Sequence, residues 1–250
     1  MLEGIYWDLS HPYHYLRSVG DELWVGGLDH HTGKSERSSA DLIRQLEDYT
    51  RSRFEVQDIT RTWSGQILEP YDGLPLVGSS LRSKKILFAT GFGGNGLSMA
   101  SLAASELCNL ALENHSELGN MLSPHRLPNP RTWIQLAKEN FGYLKNQVES
   151  RVIKSELPDP SVLAPGEACI GNQEGKRVAL SKSETGEIFA VSARCTHLGA
   201  ELTYNEFEKT WDCPCHGSRF SRDGRVICGP ATKDLESIAL IEHEKEKKAA

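Results

Sequence analysis

Apolar and polar residues follow three different rhythms along these 250 residues, and the changes of rhythm divide the chain. In the first part, Glu22 to Gly27 reads as a strand ending in a turn. Ser38-Ser39-Ala40-Asp41 has the capping-box form ahead of Leu42, Ile43, Leu46 and Tyr49, which predicts a helix of about three turns. Asp58 to Leu68 reads as a strand around Trp63, and Asp72-Gly73 as a turn delivering the short apolar run to Gly78. Lys85 to Thr90 reads as a buried strand. It feeds Gly91-Phe92-Gly93-Gly94-Asn95-Gly96 and a helix with Met99, Leu102, Ala103, Leu107 and Leu110 on one face, and residues 113–120 then read as a polar turn.

The second rhythm is Ile134, Ala137, Phe141, Leu144 and Val148, whose spacing of three and four predicts an amphipathic helix of about five turns. Leu157-Pro158-Asp159-Pro160 breaks it, since neither proline fits inside a helix. From there the chain turns to short strands: Glu167 to Ile170, Arg177 to Ser181, Ile188 to Ser192, Arg225 to Cys228 and Ser237 to Ile241. Gly171-Asn172, Thr185-Gly186-Glu187 and Asp223-Gly224 are the expected turns. The fold expected is therefore a mixed α/β region followed by an all-β domain of stacked antiparallel sheets. Its expected divisions are 1–127, a helix and proline linker over 128–162, 163–244, and a charged tail over 245–250.

The net charge of -6 and pI near 5.9 argue against a nucleic-acid partner or an anionic membrane surface. No window approaches the roughly 18–20 apolar residues of a membrane anchor, and the first residues lack a basic region followed by an apolar one. A cytoplasmic protein is expected. Six cysteines without framework spacing suit a reducing compartment. His11, His14, His30 and His31 read as surface or turn residues.

Candidate chemistry concentrates in two boxes between the third and fourth of the late strands. Cys195-Thr196-His197-Leu198-Gly199 and Cys213-Pro214-Cys215-His216-Gly217 are separated by fifteen residues from His197 to Cys213, and each offers one thiolate and one imidazole. Structural zinc usually takes like ligands from each knuckle. Loops donating one Cys and one His each suit instead a [2Fe-2S] cluster with two thiolates on one iron and two imidazoles on the other, while a single zinc ion is the competing occupant. Together with Ser218-Arg219-Phe220 and the later Gly229-Pro230-Ala231, these boxes resemble the two cluster loops and proline loop of the Rieske family.

That resemblance implies Cys195 and Cys213 on the buried iron, His197 and His216 on the exposed one, and one-electron transfer. Two departures stand out. Ala200 occupies the place of the cysteine that pairs with the middle cysteine of loop two in cytochrome bc-type members, so Cys215 has no such disulfide partner. Phe220 stands where those members have a tyrosine donating to a cluster cysteine. The expected potential lies within the Rieske range of about -150 to +300 mV, below the cytochrome bc type.

The loop at residues 91–96 matches G-x-G-x-x-G, but no second buried strand with a terminal acidic residue follows, so it is not a dinucleotide-fold opening. Trp63-Ser64-Gly65-Gln66, Asp72-Gly73-Leu74-Pro75 and Ala89 to Gly96 instead resemble the C-terminal half of FAD-dependent amine oxidases of the D-amino-acid oxidase and glycine oxidase class. The resemblance implies flavin contacts at Gly91, Gly93, Gly94, Asn95 and Gly96, and an amine substrate. The family's front half, with its ADP-binding motif, is missing here; truncation is the expectation, and FAD is implied only in company of that half. The function expected is an oxidoreductase component passing single electrons between such a flavin domain and an unidentified redox partner protein; the alternative is a stand-alone Rieske ferredoxin-like carrier or interaction module.

Overall fold

The computed structural model describes residues 3–34, 37–127, 130, 132–134 and 155–241. They group into two compact units, one drawn from 1–64 with 143–250 and the other from 65–142. The expected helix through Ile134 and Val148, apart from residues 132–134, and the charged tail lie outside the described residues.

In the first unit, β1 (Ile5–Trp7), β2 (His14–Val19) and β3 (Glu22–Gly27) form an antiparallel sheet in the order β1-β2-β3. The predicted strand at Glu22 is present as β3; it pairs with β2, which in turn pairs with β1, and the sequence pattern announced neither of those strands. Helix α1 (Ser39–Arg51) follows, with the Ser38 hydroxyl accepting from the Asp41 amide as the capping box requires. The ring of His14 stacks on Tyr49 at 3.8 Å, and its Nδ1 meets Asp8 at 2.9 Å. His14 is thus a half-buried packing residue rather than the surface histidine expected; His11, His30 and His31 are exposed. Asp58 to Leu68 forms no strand. It is almost wholly exposed and pairs with no ladder among the described residues.

The second unit pairs β4 (Leu76–Ser80) with β5 (Ser83–Thr90), followed by α2 (Gly96–Ala111) and α3 (Glu117–Leu122). Its core is Val77, Ala103 and Leu122, with Ala89, Phe92, Leu102 and Leu107 packed around them. Strand β5 was expected to be buried, but in a two-stranded sheet one side stays open, and Ile86 is 59% exposed. The expected turn over 113–120 contains the start of α3. Ser116 caps that helix by accepting from the Gly119 amide at 2.7 Å while its hydroxyl donates to buried Glu106 at 2.6 Å.

The remaining strands belong to the first unit. Sheet β6-β7-β8 comprises Ala168–Gln173, Lys176–Lys182 and Ile188–Ser192. A second antiparallel sheet runs β12-β11-β10-β9, from β9 (Thr203–Asn205) and β10 (Thr210–Asp212) to β11 (Arg219–Ser221) and β12 (Val226–Cys228). Ala179 and Val191 from one sheet meet Trp211 and Phe220 from the other in a core that also encloses Cys195 and Cys213. Full burial of an aromatic such as Phe220 contributes about 1.5–3 kcal/mol. The expected strand at Ser237 reduces to a single bridge with Val191. Gly171-Asn172 is no turn but mid-strand in β6, because a Cβ on Gly171 would lie 2.4 Å from the Leu157 Cα; the glycine admits a neighbouring backbone.

Candidate metal centre

The two boxes fold into matching loops. In the first, the Cys195 amide donates to Ala200 O at 2.8 Å and the Gly199 amide returns to Cys195 O at 2.8 Å. In the second, the Cys213 amide donates to Ser218 O at 2.8 Å and the Gly217 amide returns to Cys213 O at 3.0 Å. Gly199 and Gly217 both need positive φ, 78° and 75°, which explains the glycine closing each box. A third loop braces them. Ser218 Oγ accepts from the Ala231 amide at 3.0 Å, and Thr196 Oγ1 donates to Lys233 O at 2.5 Å.

This framework sorts the four candidate ligands by depth. Cys195 and Cys213 are 2% and 1% exposed, whereas His197 is half-buried and His216 exposed. The histidine rings stand 4.9 Å apart at 86°. A hydrogen bond shared between the two thiols holds Cys195 down, to about 6, with help from the His197 and Leu198 amides and from Ser218; the same bond, with burial, pushes Cys213 up. Burial, then the His197 ring and the Lys34 charge, keep His216 below the usual histidine range and therefore neutral near pH 7, the form that binds metal.

The donor set fits a dinuclear iron-sulfur cluster. The buried Nδ1 of His197 finds no hydrogen-bond partner among the described residues, which is costly for a polar atom unless its lone pair serves a ligand. Thiols paired inside and imidazoles paired outside match the two-iron arrangement. Cys215 is half-buried, and none of the six cysteines is in a disulfide.

The glycine loop lies in the second unit. Gly91 is buried, and a Cβ there would meet Pro70 Cγ at 2.5 Å. The Gly93 amide donates to Leu68 O at 3.1 Å and the Asn95 amide to Phe92 O at 2.9 Å. Those amides are committed to shaping the turn. Gly94 and Asn95 are exposed, and Asn95, at the start of α2, makes no side-chain cap. The loop is therefore an open turn at the start of α2 rather than an enclosed cradle.

Two antiparallel sheets carrying paired Cys/His loops define a Rieske-type iron-sulfur domain. Residues 156–239 match the Rieske [2Fe-2S] domain family, and residues 2–110 match the FAD dependent oxidoreductase family. The chain thus joins a region of the FAD dependent oxidoreductase family to a Rieske [2Fe-2S] domain, a domain that binds a two-iron cluster. A Bacillus subtilis protein, YhfW, whose name describes it as a Rieske 2Fe-2S iron-sulfur protein, is 34% identical over 249 residues, 95% of this chain and 47% of its own length. The chloroplast cytochrome b6-f iron-sulfur subunit of Pisum sativum is 43% identical over 100 residues, 40% of this chain and 41% of that protein. Among solved structures, the plasma membrane Rieske protein PetC3 from Synechocystis is 34% identical, over 29% of this chain and 74% of that one, with TM-score 0.28. The chain spans about half the length of the curated relatives it matches. No helix among the described residues is long and apolar enough to cross a membrane.

Proposed function

We propose that this chain is the electron-relay part of a flavin-dependent amine oxidoreductase. Cys195 and Cys213 hold the inner iron and His197 and His216 the outer one, within the proposed divisions 1–127, 128–162, 163–244 and 245–250. Gly91, Gly93, Gly94, Asn95 and Gly96 supply one wall of an FAD site that a front half, absent from this chain, completes. The observation that carries the reading is the depth ordering of the ligands: paired thiols buried, with one imidazole half-buried and the other exposed.

When bound, the cluster supplies one-electron storage. The chain's own residues do the rest: the two loops hold the donors, the Trp211 and Phe220 core excludes water from the thiol side, and the histidine edge is where a redox partner approaches. Six free cysteines support a reducing, cytoplasmic setting.

The test is the spectrum of the protein purified anaerobically after expression with its front half. A red-brown Rieske absorption, with a flavin band that bleaches on addition of an amine and a Rieske EPR signal that then appears, supports the relay. A flavin band that bleaches without reducing the cluster sinks it, and iron-sulfur absorption alone favours the stand-alone carrier.

A further inference from the structure

Two stretches that match different families meet at strand β9, which ends its sheet. Residues 31–64 lie in the part that matches the FAD dependent oxidoreductase family, and residues 203–214 in the Rieske part. Side chains alternate along a strand. In β9 the Tyr204 ring packs on Trp211 at a centroid distance of 4.9 Å, which leaves Thr203 and Asn205 to the opposite side. Both are met there by the earlier stretch. The Thr203 hydroxyl is shared between Asp212 O at 3.2 Å and Gly33 O at 3.4 Å. Ser39 Oγ, in the first turn of α1, donates at 3.1 Å to Asn205 Oδ1, the oxygen that also accepts from the Phe207 and Glu208 amides. At the hairpin tip, Glu208 Oε1 accepts from the amide and the hydroxyl of Ser64 at 3.1 and 2.6 Å. The same stretch touches the second cluster loop itself, since a Cβ on Gly33 would lie 3.0 Å from both the N and the Cα of Pro214.

We infer that residues 33–64 form a fixed seat for the cluster domain, so that electrons pass between the Rieske part and the FAD-family part across one constant interface and not through encounters of a swinging domain. This rests on the relay reading proposed above. Contacts at three places, the cluster loop, β9 and the hairpin tip, set orientation as well as position, where a single contact would leave a pivot. A pivoting domain reaches its partner by motions on the microsecond to millisecond scale; a seated one keeps its distance. The seat at the cluster loop is backbone against backbone. Gly33 has φ +70°, so any other residue there combines a left-handed conformation with a clash that Pro214 cannot relieve by moving a side chain. Pro214 has no N–H, so this close approach strands no donor. The turn itself is closed by the Lys34 amide donating to His31 O at 3.0 Å.

The experiment measures nitrogen-15 relaxation in the oxidised, cluster-loaded chain and compares the amides of β1–β3 with those of β6–β8. In the parent the two sets share one rotational correlation time. The triple variant Ser39→Ala, Thr203→Val and Glu208→Ala removes the side-chain bonds across the seat; in it the β6–β8 set falls to a shorter time than the β1–β3 set, while iron, sulfide and the Rieske EPR signal stay as in the parent. Gly33→Val parts the two sets in the same way, and Ser64→Thr, which keeps the donating hydroxyl, behaves as the parent. Two correlation times in the parent overturn the inference, and so does a triple variant with a full cluster whose two sets stay together, whether or not Gly33→Val folds. Failure of the relay reading is seen elsewhere, as a flavin band that bleaches without reducing the cluster in a protein whose two sets still tumble together.

Discussion

Ser218 and Ala231 are joined across two loops: the serine hydroxyl accepts from the alanine amide at 3.0 Å, and Ser218 helps to hold the Cys195 thiol below its usual range. The proline-containing third loop therefore positions a hydroxyl beside a candidate cluster ligand. Ser218→Ala should keep the cluster and lower its potential by roughly 20–60 mV, taking one hydrogen bond at roughly 0.5–1.5 kcal/mol and a tenfold ratio as about 59 mV. Protein-film voltammetry measures the shift; an unchanged potential would show that the hydroxyl does not reach the sulfur.

Phe220 is fully buried in the core that contains both candidate cysteine ligands. Phe220→Tyr adds a donor on that side and should raise the potential by a similar amount, while the extra oxygen costs up to about 1–3 kcal/mol of stability through overpacking. A lowered or unchanged potential in the same measurement contradicts the role assigned to this position.

Ligands and bystander should separate cleanly. His197→Ala and Cys213→Ala are expected to abolish the Rieske EPR signal, and Cys215→Ser to retain it, since Cys215 lies outside the buried thiol pair. Loss of the signal in Cys215→Ser would mean that the second loop donates a different thiol.

Asp212 is 2% exposed and receives Arg219 through two bonds of 2.8 and 2.9 Å, as well as the Thr210 hydroxyl at 2.9 Å. It sits one residue before Cys213. Asp212→Ala strands the Arg219 guanidinium and should cost about 3–5 kcal/mol, read as a fall in the thermal midpoint with release of cluster iron. Arg219→Met with Asp212→Leu should recover much of that loss, which a single-site explanation does not predict.

The metal boxes were legible in the sequence because their chemistry is local: ligand, glycine and loop closure all fall within six residues. Helix α1 was legible for the same reason, since Ser38 caps Asp41 three residues away. Strands β1 and β2 were not, because Ile5-Tyr6-Trp7 is exposed throughout and offers no alternation to read. Strands β9, β10 and β11 span three residues each, too short for a period-two pattern to declare itself. Gly171 was misread because its reason is Leu157, fourteen positions away and visible only once the chain has folded. The seat of Gly33 on Pro214 joins positions far apart in the sequence, and no local pattern signals it.

Each cluster loop ties its own ends together by the same pair of amide bonds, from cysteine to the residue five on and from glycine back to the cysteine. Neither closure borrows an atom from the β9–β10 hairpin that separates them. The tip of that hairpin, residues 206–209, is accordingly the place where a lineage can lengthen, shorten or redecorate the protein without rewriting the ligand geometry. Exchange of the hairpin's tip alone, residues 206–209, leaves Thr210 and Trp211 in place and should keep the electron chemistry unchanged while altering which partners can come near it.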